Sequence, residues 1–64
     1  MRDFDLTHRE KDILELLALG KSNDQISKKL DISINTVKTH LKHIFRKMQV
    51  ENRTAAARAF IEHH

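Results

Sequence analysis

Five polar residues between positions 35 and 46 recur at helical spacing, and none of them is acidic. They are Asn35, Lys38, Thr39, Lys42 and Arg46. On a helix they share one face, with Lys38 and Lys42 one turn apart. In the DNA major groove a lysine can donate to O6 and N7 of guanine, and a threonine methyl can contact thymine. Because solvated helix faces normally mix both signs of charge, this acid-free face indicates contact with a polyanion.

The opposite side of the same segment is apolar, which predicts that it is buried. Its members are Ile34, Val37, Leu41, Ile44, Phe45 and Met48. Their spacing predicts a helix from about position 34 to 48. Thr36 and His40 flank the polar face, where their side chains can form hydrogen bonds to phosphates.

Capping residues divide the chain into four predicted helices, of which this is the third. The four candidate N-caps are Thr7, Ser22, Ser33 and Asn52. Glu10 and Gln25, each three residues after its cap, complete two capping boxes. Gly20 predicts the end of the first helix, because glycine adopts the left-handed conformation without strain. The short connection 31–33 between the second and third helices predicts a helix-turn-helix.

The composition excludes several classes of protein. The 64 residues include no cysteine, no proline and one glycine, which favours a single all-α domain over residues 1–64. There is no cysteine for a disulfide or a zinc site, and His40 and His43 lack a third well-spaced ligand. No apolar run reaches membrane-spanning length. We expect no metal, no cofactor, no membrane association and no enzyme activity, since a catalytic cleft needs more surrounding chain.

The positive charge is concentrated in the second half of the chain. Residues 35–58 hold six basic side chains against Glu51 alone, whereas residues 1–24 hold more acidic than basic side chains. The net charge of the whole chain is +3. A localised basic field suits a polyanion, most often nucleic acid, and a solvated basic face is the alternative that charge alone leaves open.

A pattern over residues 6 to about 60 is similar to a known family of domains. It comprises Leu6, Thr7, Arg9, Glu10, Ile13, Leu14, Leu17, Gly20, Ser22, Asn23, Ile26, Leu30, Ile32, Ser33, residues 36–40, Lys47, Met48, Val50, Asn52 and Arg53. The pattern resembles the LuxR-type helix-turn-helix DNA-binding domain, and most closely the effector domains of NarL/FixJ response regulators. The resemblance implies a four-helix domain of a cytoplasmic bacterial transcription regulator that binds double-stranded DNA as a homodimer.

The resemblance also implies roles for individual positions of this sequence. The base-reading positions are Lys38, Thr39 and Lys42, in agreement with the polar face of the third helix. The contacts to the DNA backbone are Asn23, Thr36, His40 and Lys47. The dimer contacts on the fourth helix are Ala55, Arg58, Ala59 and Glu62.

Two positions depart from the family pattern, and the pattern implies further partners. Ser27 stands where the family usually has alanine, and Asp31 where glycine is common, although aspartate tolerates the left-handed conformation better than most residues. An N-terminal receiver domain and RNA polymerase are implied partners of the intact regulator. We expect either an excised effector domain or a small free-standing regulator. Residues 1–5 are then an arm or linker remnant, and residues 62–64 are native or begin a purification tag.

Two other functions stay open at the level of sequence. The helix-turn-helix pattern also occurs in the promoter-reading domain of sigma factors, but residues 50–54 and the fourth helix argue against that function. A small protein–protein interaction or dimerisation module is the alternative from another class, motivated by the alanine-rich patch over residues 55–59. Such a module would bind a protein partner without affinity for DNA at low salt.

Overall fold

The computed structural model describes residues 4–62 of the chain. These residues form four helices, α1 (His8–Ala18), α2 (Asn23–Leu30), α3 (Ile34–Met48) and α4 (Arg53–Glu62), and contain no strand. The all-α, four-helix prediction is confirmed, and the third helix has the predicted bounds. The expectations for residues 1–3, His63 and His64 lie outside the described residues.

Each helix begins at the capping residue that the sequence predicts. The four caps are Thr7, Ser22, Ser33 and Asn52. In the first capping box, the Glu10 amide donates to Thr7 Oγ1 over 3.1 Å and the Thr7 amide donates to Glu10 Oε1 over 2.9 Å. Ser22 and Gln25 make the same reciprocal pair at 3.1 and 2.8 Å. These contacts satisfy amides that would otherwise lack a partner at the start of each helix.

The end of α1 is a Schellman motif centred on the predicted glycine. Gly20 has φ +89°, and its amide donates to the carbonyl of Leu17 over 3.0 Å. The Lys21 amide donates to the carbonyl of Leu16 over 3.1 Å. The left-handed glycine reverses the chain within two residues, so α2 can begin immediately afterwards.

Two residues other than glycine adopt left-handed backbone conformations on either side of α3. Asp31 (φ 59°) closes α2, as its tolerance of this conformation predicts, and Gln49 (φ 59°) closes α3. Gln49 was not predicted, because glutamine carries no sequence signal for this conformation. Ser27, the other departure from the family pattern, is buried, and its hydroxyl donates to the carbonyl of Asp24 over 2.7 Å.

The core lies between the four helices, with α1 in contact with all the others. It consists of Ile13, Leu14, Leu17, Ile26, Val37, Leu41, Ile44, Met48 and Ala56. The packing of α1 is most extensive against α4, and α2 packs mainly on α3 to form the helix-turn-helix. Phe4 and Phe60 are half-buried against this core.

The buried side of α3 differs from the prediction at two positions. Ile34 is 37% exposed rather than buried, and Phe45 is half-buried. Helical side chains lean towards the N-terminus and cover the preceding turn. Ile34 is the first residue of α3, so no preceding turn supports its side chain.

Candidate nucleic-acid interface

The outward face of α3, formed by Asn35, Lys38, Thr39, Lys42 and Arg46, is exposed along its whole length. On the opposite side of the helix Val37 and Ile44 are fully buried, which fixes the rotation of α3 about its axis. The ion pairs found among residues 4–62 involve other side chains, so the three cations of this outward face are uncompensated. The structure therefore presents a basic surface without acidic side chains to solvent.

The dimensions of this outward face suit a nucleic-acid groove. Fifteen residues make α3 roughly 22 Å long at ~1.5 Å per residue. The major groove, about 12 Å wide, accepts one helix with its side chains. Lys38 and Lys42 are separated by about 6 Å along the helix axis, close to the rise of two base-pair steps at ~3.4 Å each. Both ammonium groups can therefore reach neighbouring base edges from a single docked helix.

Thr36 and His40 lie on the flank of α3, beside the outward face. The Thr36 hydroxyl lies 2.9 Å from the Ser33 hydroxyl at the exposed start of the helix. His40 is half-buried, and its Nδ1 atom is buried without a hydrogen-bond partner among the described residues. A ring protonated on Nε2 avoids a buried, unpaired N–H and offers a donor to a phosphate oxygen. Both side chains are thus positioned at one edge of the same surface.

Asn23 is the first residue of α2 and is held by a side chain from α4. Arg53 Nη1 donates to Asn23 Oδ1 over 2.6 Å, which leaves the Nδ2 amino group as the donor available to a ligand. Arg53 Nη2 donates to the carbonyl of Lys21 over 2.6 Å. The sequence assigns no site role to Arg53, because its partners lie about thirty residues earlier in the chain.

Lys47 is engaged with its own chain in a way that the sequence reading missed. Its Nζ atom lies 2.7 Å from Oε1 of Glu10, a residue only 3% exposed, and also donates to the carbonyl of Asp5 over 3.2 Å. A phosphate contact by Lys47 would use the one remaining ammonium hydrogen. The helical spacing of Glu10 from Ile13 and Leu17 is the signal that could have identified it as buried.

The Glu10 carboxylate is kept ionised by its partners. Burial raises its pKa, but the hydrogen bond from Lys47, the hydrogen bond from the Thr7 amide and the charge of Lys47 together outweigh burial. The net result is a pKa below the ordinary value for glutamate. Lys47 and Glu10 therefore form a charged contact that joins the C-terminal end of α3 to the first turn of α1.

The predicted dimer contacts on α4 differ in their exposure. Arg58 and Glu62 are exposed, whereas Ala55 and Ala59 are half-buried. The large apolar side chain exposed on this helix is Ile61, at 64%, which the sequence reading did not include. Ile61 lies three residues after Arg58 and shares its face, so helical periodicity could have found it.

Within residues 4–62, no group of three or more histidine or acidic side chains is arranged to hold a metal ion. None of the helices described is long and apolar enough to cross a membrane.

Comparison with known proteins gives matches over most of the chain. Residues 5–60 match the family model for bacterial regulatory proteins of the luxR family. The chain is 59% identical over 51 residues to the CsgBAC operon transcriptional regulatory protein of Escherichia coli K12. It is 50% identical over 52 residues to the nitrate/nitrite response regulator NarL of the same strain. These alignments cover 80% and 81% of this chain but 24% of each relative, so the chain spans about a quarter of their length.

A solved structure resembles the whole four-helix arrangement. The crystal structure of the response regulator ChrA, from a heme-sensing two-component system, superposes with a TM-score of 0.87 at 49% sequence identity. The alignment covers 98% of this chain and 31% of that one.

Proposed function

Since the chain belongs to the LuxR family of bacterial regulatory proteins, we propose that it is a single DNA-binding domain whose α3 reads the major groove in a sequence-specific manner. Similarity to this family and to the response regulators supports DNA binding that regulates transcription. The proposed action is binding, and it requires no catalytic group.

The outward face of α3 carries this proposal. Its cations are exposed and uncompensated, while the opposite side of the helix is locked into the core. Lys38 and Lys42 donate to guanine edges, and the Thr39 methyl contacts thymine. Asn23, Thr36 and His40 donate to phosphates at the flanks, with Lys47 as a weaker contributor because of its internal ion pair. Phosphate contacts fix the register, and base contacts supply the specificity.

Two copies of the domain bind together on DNA in this proposal. Contact through the exposed side of α4, formed by Ala55, Arg58, Ala59 and Glu62 with Ile61 added, would pair them. Half-sites about 10 bp apart then present the same side of the duplex to both copies. In a cytoplasmic regulator of which this chain is one part, an N-terminal receiver domain would control access to DNA and RNA polymerase would be the downstream partner.

A salt titration of binding to a selected duplex and to a random duplex tests the proposed function. We expect tighter binding to the selected duplex, with a preference that Lys38→Ala reduces and Lys11→Ala, an exposed lysine on α1, leaves intact. The slope of affinity against salt reports the number of phosphates contacted. Equal losses on both duplexes would assign Lys38 to the backbone instead.

The alternative function has its own outcome in the same experiment. Absence of affinity for any duplex at low salt, together with binding of a protein partner, would identify the domain as a protein–protein interaction module. That outcome would overturn the proposed function.

A further inference from the structure

The side chain of Arg53 joins two helices whose backbones are not in contact. No backbone contact joins α2 to α4 in the part of the chain that is described. Arg53, the first residue of α4, donates to Asn23 Oδ1 and to the Lys21 carbonyl, both over 2.6 Å. The guanidinium thus holds the first residue of α2 and the turn just before it.

The chemistry of the guanidinium determines which way the Asn23 amide is turned. An asparagine amide has an accepting oxygen and a donating nitrogen, which can exchange places by rotation of the side chain. A guanidinium has donors only, so the atom facing Arg53 must be the oxygen. The Nδ2 amino group is therefore left as a donor, which is the half of the amide that suits a phosphate oxygen.

A second contact makes this arrangement rigid. The planar guanidinium offers its donors in a fixed fork, and the two contacts of Arg53 use two different nitrogens of that fork. Arg53 and Asn23 are both half-buried, so neither side chain moves as freely as an exposed one. The Lys21 carbonyl anchors the guanidinium, and the guanidinium in turn fixes the amide of Asn23.

We propose that Arg53 is a positioning residue for DNA binding, which acts through Asn23 by turning the Nδ2 amino group towards a backbone phosphate. This inference rests on the proposed function, because it needs α2 to begin beside the DNA backbone. Arg53 itself contacts no base. Loss of Arg53 should weaken the affinity for a selected duplex and for a random duplex by the same factor, since a phosphate contact carries no sequence information.

The test measures duplex affinity and its salt dependence for wild type, Arg53→Lys, Arg53→Gln, Asn23→Ala and the double variant Arg53→Lys with Asn23→Ala. Lysine keeps the charge but replaces the planar fork by a single ammonium group. We expect Arg53→Lys and Asn23→Ala each to weaken binding about fivefold to tenfold, the effect of losing one hydrogen bond. The double variant should bind no more weakly than Asn23→Ala, and Arg53→Lys should keep the wild-type salt slope.

Three outcomes would overturn the inference. Wild-type affinity in Arg53→Lys, with a salt slope reduced by about 0.9 in Arg53→Gln, would mean that Arg53 contacts a phosphate directly. An equal loss of duplex affinity from Arg53→Lys in the wild-type and Asn23→Ala backgrounds would mean that Arg53 acts independently of the Asn23 amide. A lower melting temperature with unchanged affinity would mean that Arg53 only stabilises the fold.

A measurement without DNA keeps the inference testable if a variant proves unstable. The Asn23 side-chain amide protons of the wild-type chain should have nuclear magnetic resonance shifts that differ from those of a solvent-exposed asparagine amide, and Arg53→Lys should move both signals towards the solvent-exposed values. Unchanged signals would overturn the inference. Failure of wild type to bind any duplex would overturn the proposed function as well, whereas DNA binding that is insensitive to Arg53→Lys would overturn this inference alone.

Discussion

Cations at two places in the domain have opposite relations to the rest of the chain. Lys38 and Lys42, on the outward face of α3, are exposed and take part in none of the ion pairs found among residues 4–62. Lys47, on the same helix, and Arg53, at the start of α4, donate to oxygens of their own chain. The comparison teaches that the local surroundings of a basic residue, more than its place in a basic segment, determine whether its charge is available to a ligand.

The energetic reason for the difference lies in the partner of each cation. Glu10 is buried, and an isolated buried carboxylate is costly, so the ammonium of Lys47 is needed to compensate it. An exposed lysine such as Lys42 satisfies its charge with water and small anions, which a phosphate or a guanine edge can replace. Substitution of the two kinds of cation should therefore affect different measurements.

The largest expected effect is on DNA affinity, from removal of the exposed cations. Lys38→Ala and Lys42→Ala should each weaken binding to a selected duplex by about 1–3 kcal/mol, because each removes a proposed base contact. Neither should change the urea midpoint appreciably, since surface substitutions usually fall within about 0.5 kcal/mol. Anisotropy titrations and urea denaturation measure the two quantities. A marked loss of folding stability in either variant would mean that these exposed lysines, like Lys47, also stabilise the fold.

The next effect is on folding stability, from removal of Lys47. Lys47→Ala should lower the free energy of unfolding by about 1–2 kcal/mol, a value reduced from that of a fully buried pair because 33% of the lysine side chain is exposed. The matched control is Lys47→Ala in a Glu10→Gln background, where no buried charge is left unpaired. Urea denaturation at neutral pH should give a smaller loss there. Equal losses in both backgrounds would show that the ion pair is not the cause.

The pH dependence of stability gives a second test of the contact between Lys47 and Glu10. The folded-state pKa of Glu10 is lowered, so its stabilising contribution is present above the ordinary glutamate pKa and is lost as pH falls through the lowered value. Unfolding free energies between pH 6 and pH 3 (about the range spanned by carboxylate titration) should fall more steeply for wild type than for Glu10→Gln. Parallel curves would mean that Glu10 contributes nothing specific to acid unfolding.

The smallest expected effect concerns the apolar side chain exposed on α4. Ile61→Ala should weaken cooperative binding to a duplex with two half-sites by about 1 kcal/mol, because it removes apolar area from the proposed contact between copies. Binding to a single half-site should not change. Leu19→Ala is the matched control, since Leu19 is 70% exposed but lies at the end of α1. The same change in cooperativity from both variants would argue against pairing through α4.

Features set by neighbouring residues were predictable from the sequence. The helix starts at Thr7 and Ser22 depend on a side chain three residues away, and the end of α1 depends on the backbone freedom of Gly20. The outward face of α3 was predictable because a single helix places its members together. The family pattern added the individual base and phosphate roles, which stay predictions.

Features that depend on distant residues were not predictable in the same way. Lys47 and Glu10 are separated by 37 positions, and nothing local in either segment indicates the other. The contact of Arg53 with Asn23 has the same character, with a separation of 30 positions. Exposure of Ile34 and Ile61 depends on which neighbouring helices cover them, and that is a property of the assembled domain.

The packing of α1 against α4 has a consequence for the order in which the chain folds. Each helix has its own start signal, but the contact between the first and last helices closes a loop of almost the whole chain. Closing that loop costs conformational entropy, and contacts within single helices do not offset this cost. Ala56 on α4 is fully buried in the core shared with α1 and α3. The domain should therefore fold in one cooperative step. Proteolytic removal of α4 should then unfold α3 as well, although α4 contributes no residue to the outward face of α3.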